Sequence, residues 1–264
     1  MEYLLDQTKF FDTNNYEYNK SSKIGIMLIH GFTNTTYELT KVVDFLSSKN
    51  FHVCAYNLPG HGTSVQECND STYQEWLTFT EEKFAELSSS CDYVFICGIS
   101  MGALLAMNIA TLFPVTGLIS VAPVLEFNKP FKIHFLNRLL CSIVQSRPKK
   151  YEVNKGEKIY YGYNKWPLIA LNELRKLSKH IYKNVLTNIE CPTLLIHSKD
   201  DQTSVFNNYT IAKRYIPSDD LSSLIVERSH HNIFDCDDEK TLIHQTILDF
   251  INRHTSQNKT SIKH

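Results

Sequence analysis

Short apolar runs recur along the chain, separated by longer segments of mixed character. Residues 24–29 are apolar apart from Gly25 and end at His30-Gly31. Residues 51–56 form a second run, ended by Pro59-Gly60-His61-Gly62. Further runs lie at 93–97, 118–121, 193–197 and 224–226. Runs that are apolar throughout, rather than at every second position, suit strands buried on both faces of a parallel sheet. Between them the apolar positions recur at helical spacing. Residues 37–48 carry Leu39, Val42, Val43, Phe45 and Leu46, and residues 72–87 carry Trp76, Leu77, Phe79, Phe84 and Leu87. Residues 241–251 carry Leu242, Ile243, Ile247 and Phe250. Strands alternating with helices predict a doubly wound, mostly parallel α/β domain.

The rhythm breaks between residues 126 and 188, where no strand pattern is found. Phe131, Phe135, Leu136, Leu139, Leu140, Ile143 and Val144 fall on one helical face, with Lys132, Arg138 and Gln145 off it. A second helical pattern runs through Pro167, Leu168, Leu171, Leu174 and Leu177. We read a core of residues 1–125 and 189–253, a helical insertion over 126–188, and a polar, flexible tail over 254–264.

Composition narrows the function classes. A chain of 264 residues with 42% apolar content can bury a sizeable core as one unit. A formal net charge of -1 gives no basic stripe, so no nucleic-acid partner is expected. The first residues lack the charged and apolar regions of a signal peptide, and no apolar stretch is long enough to span a bilayer. Integral membrane association is therefore not expected. The seven cysteines are an odd number without a Cys-x-x-Cys pair. That argues against a disulfide framework or a zinc site and for a reducing, cytoplasmic setting.

The chemistry concentrates where runs end. Gly98-Ile99-Ser100-Met101-Gly102 follows the run at 93–97 and precedes an apolar helical segment, residues 103–110. Gly-x-Ser-x-Gly between strand and helix is the pattern of a nucleophile on a sharp turn. The glycines let strand and helix approach closely, and the helix N-terminus places free N–H groups near Ser100. His30-Gly31-Phe32-Thr33 closes the run at 24–29, the position from which a second oxyanion donor comes in such an architecture. The donors are assigned as the backbone N–H groups of Phe32 and Met101, with His30 as a structural hydrogen-bonder. A carboxylate is needed after the run at 193–197. Asp200 is the choice, Asp201 its adjacent competitor and Glu126 a more distant one. A base is needed after the run at 224–226, where His230 and His231 adjoin; His231 is preferred, since only one of two neighbours points into a site.

Together these pieces resemble the bacterial carboxylesterase and monoacylglycerol lipase family of α/β-hydrolases. The matching segments are His30-Gly31-Phe32-Thr33, Pro59-Gly60-His61-Gly62, Gly98 to Gly102, Pro192-Thr193-Leu194-Leu195-Ile196 leading to Asp200, and Ser229-His230-His231. The resemblance covers residues 23–252. It implies the α/β-hydrolase fold, a cap formed by residues 126–188 over the site, the acid at Asp200 and the base at His231. The chain departs from the family at His230, where glycine is usual.

The expected reaction is hydrolysis of a small-molecule ester with a short- to medium-chain acyl group, monoacylglycerols among them, through an acyl-enzyme on Ser100. No metal or organic cofactor is required. Phe127, Phe131, Phe135, Leu139, Tyr163 and Trp166 are the candidate liners of the acyl pocket. Thioester hydrolysis, acyl transfer and carbon–carbon cleavage share this machinery, and a non-catalytic ligand receptor is a further alternative. Monomer and homodimer are both compatible with the sequence.

Overall fold

The computed structural model describes residues 13–149 and 162–256. The first part of the chain supplies strands β1 (Tyr16–Tyr18), β2 (Ile24–Ile29) and β3 (His52–Ala55), with helix α1 (Thr40–Ser47) between the last two. Helices α2 (Val65–Asp70) and α3 (Tyr73–Ser88) lead to β4 (Tyr93–Ile99), α4 (Met101–Leu112) and β5 (Gly117–Val121). The chain then leaves the sheet and returns with β8 (Thr193–Ser198), α7 (Asn207–Tyr215), β9 (Leu221–Val226) and α8 (Lys240–Ser256). The sheet order is β1-β3-β2-β4-β5-β8-β9. Every neighbouring pair is parallel except β1 with β3. This is the doubly wound arrangement that the alternation of runs predicts.

The continuous apolar runs are explained by cores on both faces. In β2, Ile26 and Leu28 join one core cluster with Val43, Phe95 and Phe250, while Met27 and Ile29 join another with Trp76, Ile96 and Leu104. The strand period of two therefore persists, with apolar partners on either side. Helix α4 is buried along nearly its whole length, which accounts for its lack of a polar face. Helix α3 begins with a capping box between Thr72 and Glu75 that satisfies its first amides.

Between β5 and β8 lies an insertion, the cap, named for its place over Ser100. A π-helical stretch (Lys132–Asn137) runs into α5 (Arg138–Leu140). Then come β6 (Ser146–Pro148), β7 (Lys165–Pro167) and α6 (Leu168–His180). The pattern at 167–177 falls on α6, and that at 131–144 on the π-helical stretch and α5, but β6 and β7 pair antiparallel where no strand pattern is visible. Each has three residues, one of them proline, too short and irregular to give a period. The expected tail also begins later. Helix α8 continues through Ser256, and residues 257–264 lie outside the described residues.

Helix α4 packs tightly against β4 and β2 around Ser100. A Cβ on Gly102 would overlap the Ile29 carbonyl, and one on Gly98 would overlap the Gly102 carbonyl. Backbone atoms leave no flexible neighbour to give way. Gly102→Ala is expected to destabilise the fold by about 3 kcal/mol, read as a lowered Tm or loss of soluble protein. A variant that melts with the wild type would contradict this packing.

Candidate active site

Ser100 stands at the turn between β4 and α4 with φ 59° and ψ -116°, a backbone conformation that L-residues rarely adopt. Its amide donates to the Val121 carbonyl at 2.9 Å, so neighbouring β5 holds the turn. The side chain is buried, with 5% of the residue exposed. Such strain persists only where the surroundings over-determine it, and strained residues cluster at functional sites.

His231 follows β9 and bridges two groups. Its Nε2 lies 3.0 Å from Ser100 Oγ, and its Nδ1 lies 2.7 Å from Asp201 Oδ2. The carboxylate fixes the tautomer: Nδ1–H donates to Asp201, leaving Nε2 to accept the serine proton. His230 is exposed, and its φ is not in the left-handed region, so the position makes no demand for glycine.

The acid is a correction to the sequence reading. Asp201, not Asp200, reaches His231. Asp200 is exposed just past the end of β8, whereas Asp201 is 3% exposed. Asp201 Oδ1 accepts the Thr203 and Ser204 amides, each at 2.8 Å, leaving Oδ2 for the imidazole. The local turn decides which of two adjacent carboxylates faces inward, and residue type alone does not encode it. Glu126, the more distant alternative, instead accepts from Asn207 and contacts Asn208.

Electrostatics follow from burial and pairing. Burial alone would pull the His231 pKa down. The charge and hydrogen bond of Asp201 outweigh it, Glu38 adds to them, and the net shift is upward. Burial would likewise raise Asp201, but the His231 charge and bond, with the Ser204 and Thr203 amides, hold it below the usual carboxylate range. His30 is fully buried and pushed down to about 4 by desolvation. Its Nδ1 bonds the Gly31 carbonyl and its Nε2 accepts the Leu58 amide, the structural role expected of it.

The loop after β2 lies against Ser100: a Cβ on Gly31 would sit 3.2 Å from the Ser100 Cβ. Phe32 therefore follows directly beside the serine, and Met101 opens α4, whose first amides have no intrahelical acceptor. Glu38, which the sequence reading passed over, is buried beneath this loop. Its carboxylate accepts the Gly31 amide at 2.7 Å and the Asn34 side-chain amide at 2.5 Å. A lone acid among apolar helix positions gives no signal of this role before the fold is known.

Above the triad a cavity of about 930 Å³ is lined by Ser100, His231, Phe32 and the cap. Of the six candidate liners, Phe127 and Trp166 face it. Phe131, Phe135 and Leu139 point outward, 66%, 53% and 56% exposed. The cavity is lined instead by Ile133, Leu136, Leu140 and Val144. The apolar stripe on this helix is two rows wide, each row spaced by four, and only one row meets the cavity. The π-helical turn shifts the register, so a regular helical wheel misassigns the rows. Tyr163 is a structural residue: its hydroxyl donates to the Gly60 carbonyl at 2.7 Å, and it is 4% exposed.

With this geometry in view, comparison with known proteins is decisive for the family. The Hydrolase_4 family model, described as serine aminopeptidase, S33, matches residues 20–238. The chain belongs to that family. A thermostable monoacylglycerol lipase of Bacillus sp. (strain H-257) is 26% identical over 247 residues, covering 90% of this chain and 94% of that one. A carboxylesterase of Bacillus subtilis (strain 168) is 21% identical over 238 residues, covering 89% and 94%. Among solved structures, the Paleococcus ferrophilus monoacylglycerol lipase superposes with a TM-score of 0.76 at 16% identity, covering 92% of this chain and 99% of that one. The metagenome-derived lipolytic enzymes LipS and LipT are represented at a TM-score of 0.81 and 24% identity, covering 92% and 98%. The fold is thus the α/β-hydrolase fold.

The two neighbouring aspartates can be told apart by titrating His231. Asp201→Asn removes the charge that raises the imidazole, so the His231 pKa falls; Asp200→Asn leaves it near the wild-type value. Imidazole NMR across pH reads both. Equal shifts in the two variants would contradict the assignment of Asp201 as the partner.

Proposed function

We propose that the protein is a serine carboxylesterase acting on short- to medium-chain acyl esters, monoacylglycerols among them. The observation that carries this reading is His231 bridging Ser100 and Asp201 at 3.0 and 2.7 Å on the floor of a largely apolar cavity. The names of the Bacillus relatives, a monoacylglycerol lipase and a carboxylesterase, support the same substrate class.

In this reading His231 Nε2 takes the proton from Ser100 Oγ as that oxygen attacks the ester carbonyl. The tetrahedral oxyanion accepts from the Phe32 and Met101 N–H groups. As the C–O bond breaks, imidazolium returns the proton to the departing alcohol. Water then attacks the acyl-enzyme by the same route, giving the acid and free Ser100. Asp201 keeps the imidazole in the productive tautomer and stabilises its charged form. Phe127, Leu136, Leu140 and Trp166 supply the apolar wall for the acyl chain. All seven cysteines are free thiols, which supports a reducing compartment such as the cytoplasm. Among the described residues no helix is long and apolar enough to cross a membrane.

The test is hydrolysis of p-nitrophenyl esters from acetate to palmitate. Wild type is expected to turn them over with an optimum at short to medium chains. Ser100→Ala is expected to lose roughly 10⁴-fold or more in kcat. Wild-type inactivity towards every ester, or activity surviving in Ser100→Ala, would overturn the reading.

The pH profile gives an independent check. The base works only when neutral, so kcat/KM falls as pH drops through the His231 pKa. Because that pKa is raised in the folded protein, the acid limb lies above that of an ordinary histidine, about 6.5. An acid limb well below that value would exclude His231 as the base.

A further inference from the structure

The short loop that carries Phe32 is gripped from both sides. From the core, Glu38 accepts the Gly31 amide at 2.7 Å and the Asn34 side chain at 2.5 Å. From the cap, three groups converge on Phe32 and Thr33. Lys149 Nζ donates to Thr33 Oγ1 at 2.7 Å, and the Tyr163 amide donates to the Thr33 carbonyl at 3.2 Å. Trp166 stacks on Phe32 with ring centroids 6.5 Å apart and planes 15° from parallel. The same Trp166 ring lies 4.4 Å from Lys149 Nζ. Both partners of the lysine contact are buried: Lys149 is 6% exposed and Thr33 1%.

Thr33 needs the grip. It has φ 63°, in the left-handed region that a β-branched residue avoids. A strained residue keeps its conformation only through the contacts that hold it. A peptide rotation at 32–33 would turn the Phe32 N–H away from the carbonyl oxygen. Oxyanion donors act through fixed direction, so small misplacements are expensive in rate. The cap contacts also come from separate places, Lys149 just after β6 and Tyr163 just before β7. The paired strands β6 and β7 hold these two groups in one frame.

We propose that the cap is a working part of the oxyanion hole, with Lys149 as a positioning residue that fixes Thr33 and through it the Phe32 N–H. The proposal rests on the reading of Ser100 as nucleophile and Phe32 N–H as donor. It makes the cap a determinant of turnover for every ester, including those too short to touch the cap's apolar wall. Burial pulls the Lys149 pKa down to about 7, a sign of how dry the contact is. A dry hydrogen bond is one whose loss leaves Thr33 Oγ1 with no solvent replacement.

Thr33→Val, Thr33→Ser, Lys149→Met and the double variant Thr33→Val with Lys149→Met test this, with p-nitrophenyl acetate and octanoate as substrates. Thr33→Val and Lys149→Met are each expected to lower kcat roughly tenfold on both esters, with KM changed less than about twofold. Thr33→Ser, which keeps the hydroxyl, stays near wild type, and the double variant is no slower than the slower single one. Loss confined to octanoate, or expressed in KM alone, would show a wall of the acyl pocket and overturn the proposal. So would multiplying effects in the double variant, or an unaffected kcat in folded Thr33→Val. Melting curves identify any variant that has not folded; if Lys149→Met fails to fold, the two Thr33 variants decide alone. An inactive wild type would remove the serine-esterase reading itself, whereas an active wild type with unaffected variants removes only the clamp.

Discussion

The site depends on the close packing of α4 against β4 and β2 around Ser100. Neither Gly98 nor Gly102 has room for a single added carbon, because each faces backbone. That contact forces the chain to reverse within one residue, and the reversal puts Ser100 at φ 59°. The strain is tolerated because β4 is central, paired with β2 on one side and β5 on the other, and α4 is buried along its length. A serine on a gentler turn would not present its hydroxyl above the sheet while its own helix directs free amides at the same point. The packing that holds the domain together thus also sets the direction of the Ser100 hydroxyl towards His231.

The other two members of the triad are placed by strand ends. Asp201 and His231 follow β8 and β9, which are parallel neighbours and deliver both residues to one edge of the sheet. Each is a costly group to bury alone. Together they offset one another: the carboxylate's remaining oxygen is satisfied by two amides, and the imidazole finds a partner at each nitrogen. Burial favours the neutral form of each group, and their mutual attraction, with the amides on Asp201, reverses both shifts. That balance yields a base that is neutral above its raised pKa and whose charged form is already compensated when it appears.

Much of this was legible in the sequence, for a physical reason. Strands buried on both faces leave continuous apolar runs, and residues 24–29 and 93–97 could hardly be read otherwise. The motifs at their ends are short-range: Gly98 to Gly102 and His30 to Thr33 carry their geometry within a few residues. What failed was long-range or subresidue in scale. Choosing Asp201 over Asp200 needs the turn into Thr203 and Ser204, which either aspartate could have begun. Choosing Leu136 and Leu140 over Phe135 and Leu139 needs the angular position of one helix against a cavity, and a π-helical turn shifts that angle. Glu38 and Lys149 were invisible for a different cause. Each is a single charged residue in an ordinary setting, and each meets the loop at 31–34 only once the chain has folded.

That contact bears on the field inside the site as well as on its shape. A carboxylate beneath the oxyanion loop is an awkward neighbour for a developing negative charge. Burial raises the pKa of Glu38 against the opposing pull of the Gly31 amide, His231, Asn34 and Lys149, so its charge is held in check rather than left free. Lys149 pulls the other way and favours the charged carboxylate, while its own charge is weakened by burial and supported by Cys68 and Glu38. The two reach the loop at 31–34 from opposite sides, Glu38 from the core and Lys149 from the cap. In low dielectric such an arrangement is worth more than it would be in water, and it exists only while the cap is seated. Seating the cap therefore does three things with one set of atoms. It lines the apolar cavity beside Ser100, donates to Thr33 through Lys149 and Tyr163, and sets Lys149 on the loop whose Gly31 amide Glu38 accepts from the core.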